Sequence, residues 1–215
     1  MLSSSKHEVT VTSPLGIVCV AFGRVPMPVA ADKARALGFD HLDVIDGGSD
    51  LDLVLPVGDR IAFPGPRAGC TSPAPPKAEG AWETAVAAYR ASPGARIEPW
   101  PGSILDSIAA CREMLAAVPG LTLTVDTGHV ACWGEDPVEL LPCAAHVQLR
   151  QASKGVAQAL EGDVDFARVI ARLRALDYRG RLSVEYFDFP EMGWALEDPQ
   201  GHAVELARRI RPLLV

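Results

Sequence analysis

Four short apolar runs in the second half of this 215-residue chain each end in side chains that can bind a metal ion or move a proton. Residues 95–100 carry Glu98, 121–129 carry Asp126 and His129, 145–150 carry His146 and Gln148, and 182–187 carry Glu185. Carboxylates brought together repel one another and raise each other's pKa, and a divalent cation relieves that repulsion. Three carboxylates with one amide oxygen make a hard, oxygen-rich set that suits Mg²⁺ or Mn²⁺. Nitrogen from His129 or His146 keeps Co²⁺ or Zn²⁺ open. Taken singly, each carboxylate also fits a solvated loop position or a helix cap.

Further candidates surround this set. Arg150 and Lys154 follow the Gln148 run and either hold a phosphate or carboxylate of a substrate or are solvated loop charges. His146 shares its strand face with Gln148. It lines the interior, bonds a neighbour or ligates. Trp100, Trp133 and Trp194 follow strand ends and either wall a sugar pocket or pack in the core. Asp43 faces a barrel mouth or pairs with Arg60. No GxGxxG or GxxxxGKS phosphate loop is present.

The elements that must position these residues alternate strand with helix, the rhythm of a parallel (β/α) barrel with chemistry at the carboxyl ends of its strands. Strands are expected over 16–23, 39–45, 59–63, 121–125, 144–149 and 182–187. Helices are expected over 28–38, 79–91, 103–118 with Ser103 as N-cap, a short one from 136, 164–176 with Asp163 as a cap candidate, and 199–214. The proline- and glycine-rich stretch 64–78 reads as a loop. Between the second strand and Glu98 there is too little chain for complete units at roughly 30 residues each. A TIM-like barrel shortened in its first half, lacking one or two helices, is therefore expected, over one domain spanning 1–215 with a flexible tail at 1–12. The alternative is a linker between two domains, but the first βαβ unit is too small to hold a core alone.

Composition narrows the partners. A formal charge of −7 and a pI near 5.2 argue against a nucleic-acid backbone or an anionic membrane. Five cysteines, an odd number without a CxxC pair, argue against a disulfide framework or a zinc ribbon. The polar N-terminus and the absence of a membrane-length run lead to an expectation of a soluble, cytoplasmic protein. A shortened barrel would expose strand edges, so a homodimer is expected.

The motifs Val125-Asp-Thr-Gly-His-Val130, His146-Val-Gln-Leu149, Glu161-Gly-Asp-Val-Asp-Phe166 and Ser183-Val-Glu185, in this order, resemble the xylose isomerase-like barrel family of sugar and sugar-phosphate isomerases and epimerases. Glu98-Pro99 is similar to the glutamate of that family's fifth strand. The resemblance covers about 96–187, is weaker over 16–46 and is absent in the proline-rich middle. It implies one divalent ion held by Glu98, Asp126, Gln148 and Glu185, with Glu98 and Glu185 as base and acid around an enediolate. His129 would hold a substrate oxygen or orient Asp126. Glutamine at 148, where many relatives carry histidine, resembles the hydroxypyruvate isomerase branch, whose following arginine and proline are not matched by Arg150-Gln-Ala-Ser-Lys154. The alternatives are another metal-dependent reaction on the same barrel (lyase, dehydratase or hydrolase) or a non-catalytic subunit with a residual metal site.

Overall fold

The computed structural model describes residues 14–46 and 52–215. The tail expected at 1–12 and the Gly47-Gly48 stop after the second strand lie outside these residues. Eight parallel strands close into a barrel in sequence order. They are β1 (Leu15–Val18), β2 (Leu42–Asp46), β3 (Val57–Ala62), β4 (Thr71–Pro73), β5 (Arg96–Glu98), β6 (Thr122–Asp126), β7 (Ala144–Leu149) and β8 (Arg181–Val184). The helices are α1 (Met27–Ala36), α2 (Ala81–Arg90), α3 (Ile108–Ala117), α4 (Thr127–Trp133), α5 (Phe166–Ala175) and α6 (Pro199–Ile210). Among the described residues no helix lies between β2 and β3 or between β3 and β4. None is long and apolar enough to cross a membrane.

Strand alternation sorts the side chains. Val125 pairs in register with Val147, Val147 with Leu182, and Leu149 with Val184, and all are buried core residues. Between them, Thr124 pairs with His146, Asp126 with Gln148, and Gln148 with Ser183. The apolar set packs in the core and the polar set points into the barrel. Barrel interiors are usually filled by branched aliphatics, but here they hold a hydrogen-bonded belt. His146 Nε2 lies 2.7 Å from Asp43 Oδ2, and His41 Nε2 lies 3.0 Å from Ser183 Oγ. Asp59 is bound by Thr71 Oγ1 and by the Arg96 guanidinium, and Thr71 also meets Thr124. Burial opposes charge on Asp43 and His146. Their mutual attraction wins, lowering the Asp43 pKa and raising that of His146, so the pair is ionic. Asp43 is thus paired inside the barrel with His146.

Several expected boundaries move. β1 gives way after Val18 to a 3₁₀ turn, and β8 ends at Val184. The 64–78 loop contains β4, which pairs with β3 and β5. Its two flanking strands supply the pairing that its proline-rich sequence does not signal. α3 starts at Ile108, capped by Ser107, whose Oγ accepts from Ala110 N at 3.1 Å. Ser103 instead fixes the turn after Glu98, donating to Trp100 O at 2.7 Å and accepting from Leu105 N at 3.1 Å. The α5 cap is Asp165, accepting from Arg168 N at 3.0 Å, whereas Asp163 accepts from Lys154 N. α4 was not expected. Every strand is paired on both sides, so the premise of open strand edges behind the homodimer does not hold.

The belt needs space that only missing side chains provide. A Cβ on Gly58 would meet His41 Cδ2 at 2.0 Å and Asp43 Oδ1 at 2.2 Å. Gly58→Ala should therefore lower stability by about 1–3 kcal/mol in urea unfolding. An unchanged midpoint would contradict this account of the interior.

Candidate active site

The motif Val-Asp-Thr-Gly-His builds the centre of the site. β6 runs without a loop into α4, and Asp126 is the N-cap, its Oδ1 accepting from Gly128 N at 2.7 Å and from His129 N at 3.3 Å. Thr127 Oγ1 clamps the end of β7, accepting from Arg150 N and donating to Arg150 O, both at 3.0 Å. Gly128 leaves room for the Arg150 side chain, since a Cβ there would meet Arg150 Nε at 2.7 Å. His129, in the first turn of the helix, bonds Pro99 O through Nδ1 at 2.9 Å. Thr127 and Gly128 stand in the Val-Asp-Thr-Gly-His motif without a role expected from the sequence. The available signal was an Asp at a strand end with free amides two and three residues on, the pattern of a helix start.

Arg150 is wholly buried, with Nη2 2.5 Å from Asp126 Oδ2 and its guanidinium 4.6 Å from the Phe187 ring centroid. It is the internal counter-ion of Asp126, which overturns the alternative of a solvated loop charge. The reason is the register: Arg150 follows directly on Gln148 and Leu149 where β7 meets α4, so its side chain turns inward over Gly128. His146 is bonded to Asp43 within the belt, the alternative in which it lines the interior and bonds a neighbour, and it does not line the cavity described below. Lys154 is exposed on the loop beyond.

Glu98, Asp126 and His129 each place one potential ligand atom within 4.8 Å of the others. The His129 atom that faces the carboxylates is Nδ1, 3.7 Å from Glu98 Oε1 and 3.9 Å from Asp126 Oδ2. Burial and then the Arg150 charge hold His129 down to about 4, against the pull of Asp126, so the ring is neutral. A neutral ring bonded to a carbonyl through Nδ1 carries its proton there, which leaves Nε2 as the acceptor. Nε2 is buried and has no hydrogen-bond partner among the described residues. His129 therefore orients on Pro99 and offers a lone pair elsewhere.

The carboxylates divide by environment. Burial would raise Asp126, but the Arg150 charge, a hydrogen bond from Glu185 and the amide of Gly128 pull it below its ordinary value, so it holds its charge. Burial first, then the Asp126 charge, pushes Glu98 up to about 8. The same two causes, with Glu98 added, push Glu185 well above the usual range. Three potential negative charges face one buried guanidinium, leaving two to be balanced, either by two protons or by one divalent cation. Among the described residues, Glu185 Oε2 and both amide atoms of Gln148 are buried without hydrogen-bond partners. This donor set, rich in hard oxygens and short of positive charge, fits a divalent ion.

A cavity of about 920 Å³ opens over Glu98, His129 and Glu185. Trp100 and Trp194 meet edge to face at 6.0 Å in its wall, and Trp194 also packs on His129 and Phe187. Trp133 does not line it. A smaller cavity of about 290 Å³ near Asp136 and Asp163 lies apart and contains none of these carboxylates.

The family model described as a xylose isomerase-like TIM barrel matches residues 54–212. No curated protein sequence matches the chain. Among solved structures, an L-ribulose 3-epimerase has a TM-score of 0.70 at 15% identity, with 94% of each chain covered. A 3-keto-D-glucoside 4-epimerase from E. coli has a TM-score of 0.65 at 15% identity, covering 93% of this chain and 99% of that one. A probable 3-DHS dehydratase from Bacillus anthracis has a TM-score of 0.58 at 14% identity, covering 91% and 99%. At these identities the likeness is one of fold.

Glu98 gives the metal-free protein a defined pH response. The folded chain keeps a proton up to about 8 that the unfolded chain releases near 4.5, so stability falls as pH rises through that window. In EDTA the melting temperature should drop between about pH 6 and about pH 8.5, and Mn²⁺ should restore more at the higher pH. A flat profile would contradict the buried, protonated Glu98. Arg150→Met leaves Asp126 buried without its counter-ion, and should cost about 3–5 kcal/mol in the metal-free protein. Calorimetry with and without Mn²⁺ would show the loss reduced when a cation is bound.

Proposed function

The chain belongs to the xylose isomerase-like TIM barrel family, and from that premise we propose that it is a divalent-metal-dependent isomerase or epimerase acting on a small hydroxy-carbonyl compound. The observation that carries this reading is that Glu98 and Glu185 open onto one cavity while both sit against the charge of Asp126. Two buried carboxyl groups with displaced pKa values on one cavity are the equipment of proton transfer near neutral pH.

Isomerisation and epimerisation both break a C–H bond beside a carbonyl. One glutamate takes the proton, the bonding pair moves into an enediolate, and the other carboxyl returns a proton. Return to the neighbouring carbon isomerises, and return to the opposite face of the same carbon epimerises. Glu98, Asp126, Gln148 and Glu185 would hold the divalent ion, which when bound supplies Lewis-acid polarisation of the substrate oxygens. Without a cation, burial and the Asp126 charge hold Glu98 up to about 8, so it keeps its proton near neutral pH. Added positive charge beside the pair returns one member to the ionised form that a base requires. His129, neutral and fixed through Nδ1 on Pro99 O, would accept a substrate hydroxyl at Nε2. Trp100 and Trp194 exclude water from the reacting face.

The same proton removal begins a dehydration when the adjacent carbon bears a hydroxyl that can leave. The similarity in fold to a solved protein described as a probable dehydratase keeps that product in the assay.

Deuterium exchange from D₂O at the carbon beside the carbonyl, measured by NMR over small ketoses and hydroxy acids with Mn²⁺-loaded protein, tests the reading. Glu185→Gln should slow exchange by about 10²–10⁴-fold with the far-UV circular dichroism unchanged. Exchange at the wild-type rate in that variant would sink the assignment of Glu185. Failure to retain Mn²⁺ at micromolar concentration would sink the metal.

A further inference from the structure

The cavity over the two glutamates is far larger and less polar than a free sugar needs. Its volume of about 920 Å³ equals the space of about thirty waters at ~30 Å³ each, and a pentose or hexose would fill only a fraction of it. Each sugar hydroxyl taken from water needs a new partner, or its burial costs free energy. The walls supply few. Trp100 Nε1 is already committed to Ala74 O at 2.6 Å, and the Tyr89 hydroxyl to Ser72 O at 3.2 Å. Phe187 and Phe189 stack at 4.8 Å between centroids, adding apolar surface only.

The cavity continues from this aromatic arc across the rim, between the 63–66 turn and α2. Ala81, Thr84, Ala85, Ala88 and Tyr89 line it from the helix. Their spacing of i, i+3, i+4, i+7 and i+8 is the inward stripe of an amphipathic helix. Such a stripe ordinarily packs on neighbouring elements. Here β3 connects to β4 through a helix-free segment; Ala85 and Tyr89 of the stripe are buried in the core, while Ala81, Thr84 and Ala88 stay partly or fully exposed along the cavity. At the other end of the same cavity, Glu185 and His129 are 5% and 4% exposed, and Glu185 Oε2 and His129 Nε2 have no hydrogen-bond partner among the described residues. One cavity thus joins unpartnered polar atoms to an extended apolar wall.

We propose that the substrate joins a hydroxy-carbonyl head, seated over Glu98, His129 and Glu185, to an aryl or alicyclic body that lies between the aromatic wall, the 63–66 turn and α2. This deepens the functional reading above and rests on it for the identity of the head, whereas the apolar body is argued from the walls alone.

The test compares 2-hydroxyacetophenone with hydroxyacetone, which carries a methyl group in place of the phenyl ring. Each is titrated into Mn²⁺-loaded and metal-free full-length protein, following tryptophan fluorescence and calorimetric heat. The aryl ketone should bind at least tenfold more tightly in both forms. Ala81→Asp places a carboxylate in the apolar wall at the first position of α2, where a negative charge favours the helix, so the variant should fold. It should reduce the aryl-to-methyl affinity ratio at least fivefold, and Ala81→Leu should keep the ratio. Affinities within threefold of each other, or an aryl ketone that does not bind at millimolar concentration, would overturn the proposal. Aryl binding without Mn²⁺ retention or deuterium exchange would support the apolar body while removing the reaction assigned above.

Discussion

Asp126 holds a full negative charge where no water reaches it, and the local structure is arranged to make that possible. Its carboxylate caps α4, meets the Arg150 guanidinium and lies against Glu98 and Glu185. An unpaired buried carboxylate would take up a proton instead. Because Asp126 stays charged, its two glutamate neighbours are driven toward their protonated forms. One carboxylate therefore sets the chemistry of the other two. The cap, the counter-ion and the strand-to-helix junction are inseparable, since Thr127 ties Arg150 to α4 and Gly128 admits its side chain.

The same logic extends down the barrel. Side chains that point inward from β6, β7 and β8 are polar at successive levels, and those between them are aliphatic and buried in the core. A polar interior is costly unless every group finds a partner. The Asp43–His146 ion pair and the Asp59–Arg96–Thr71 contacts supply partners to several of these groups beneath the site. Gly16 and Gly58 make the wall thin enough for His41 to lie inside it. The belt gives the residues above it a rigid floor, which matters where two carboxyl groups must hold one geometry against their mutual repulsion.

The first half of the barrel contributes differently. Eight strands close the ladder although two connections lack a helix among the described residues. Closure needs only backbone pairing, and three residues of β4 suffice because both flanking strands are present. A helix, by contrast, covers the outside of a strand pair. Where none is present the cover is missing, and the inward face of α2 borders a cavity continuous with the carboxylates. A shortened element can in this way enlarge a binding site rather than abolish it.

The alternation of strand and helix and the closing apolar runs were legible in the sequence, and Glu98, Asp126, Gln148 and Glu185 stood out at the strand ends as candidates, because hydrophobic periodicity and chemical type are local properties. Trp100 and His129 were recognisable as candidates for the same reason. What the sequence could not supply was the direction of each polar side chain once eight strands were in register. Arg150 looked like a loop charge and is a buried counter-ion. His146 looked like a site residue and belongs to the belt. Ser103 looked like a helix cap and locks a turn. β4 was hidden in a proline-rich stretch, since its partners are 10 or more residues away in the chain and only the closed barrel brings them together. Which charges pair, and which are left to a cation and a substrate, is a property of distances between strands, and those exist only in the folded protein.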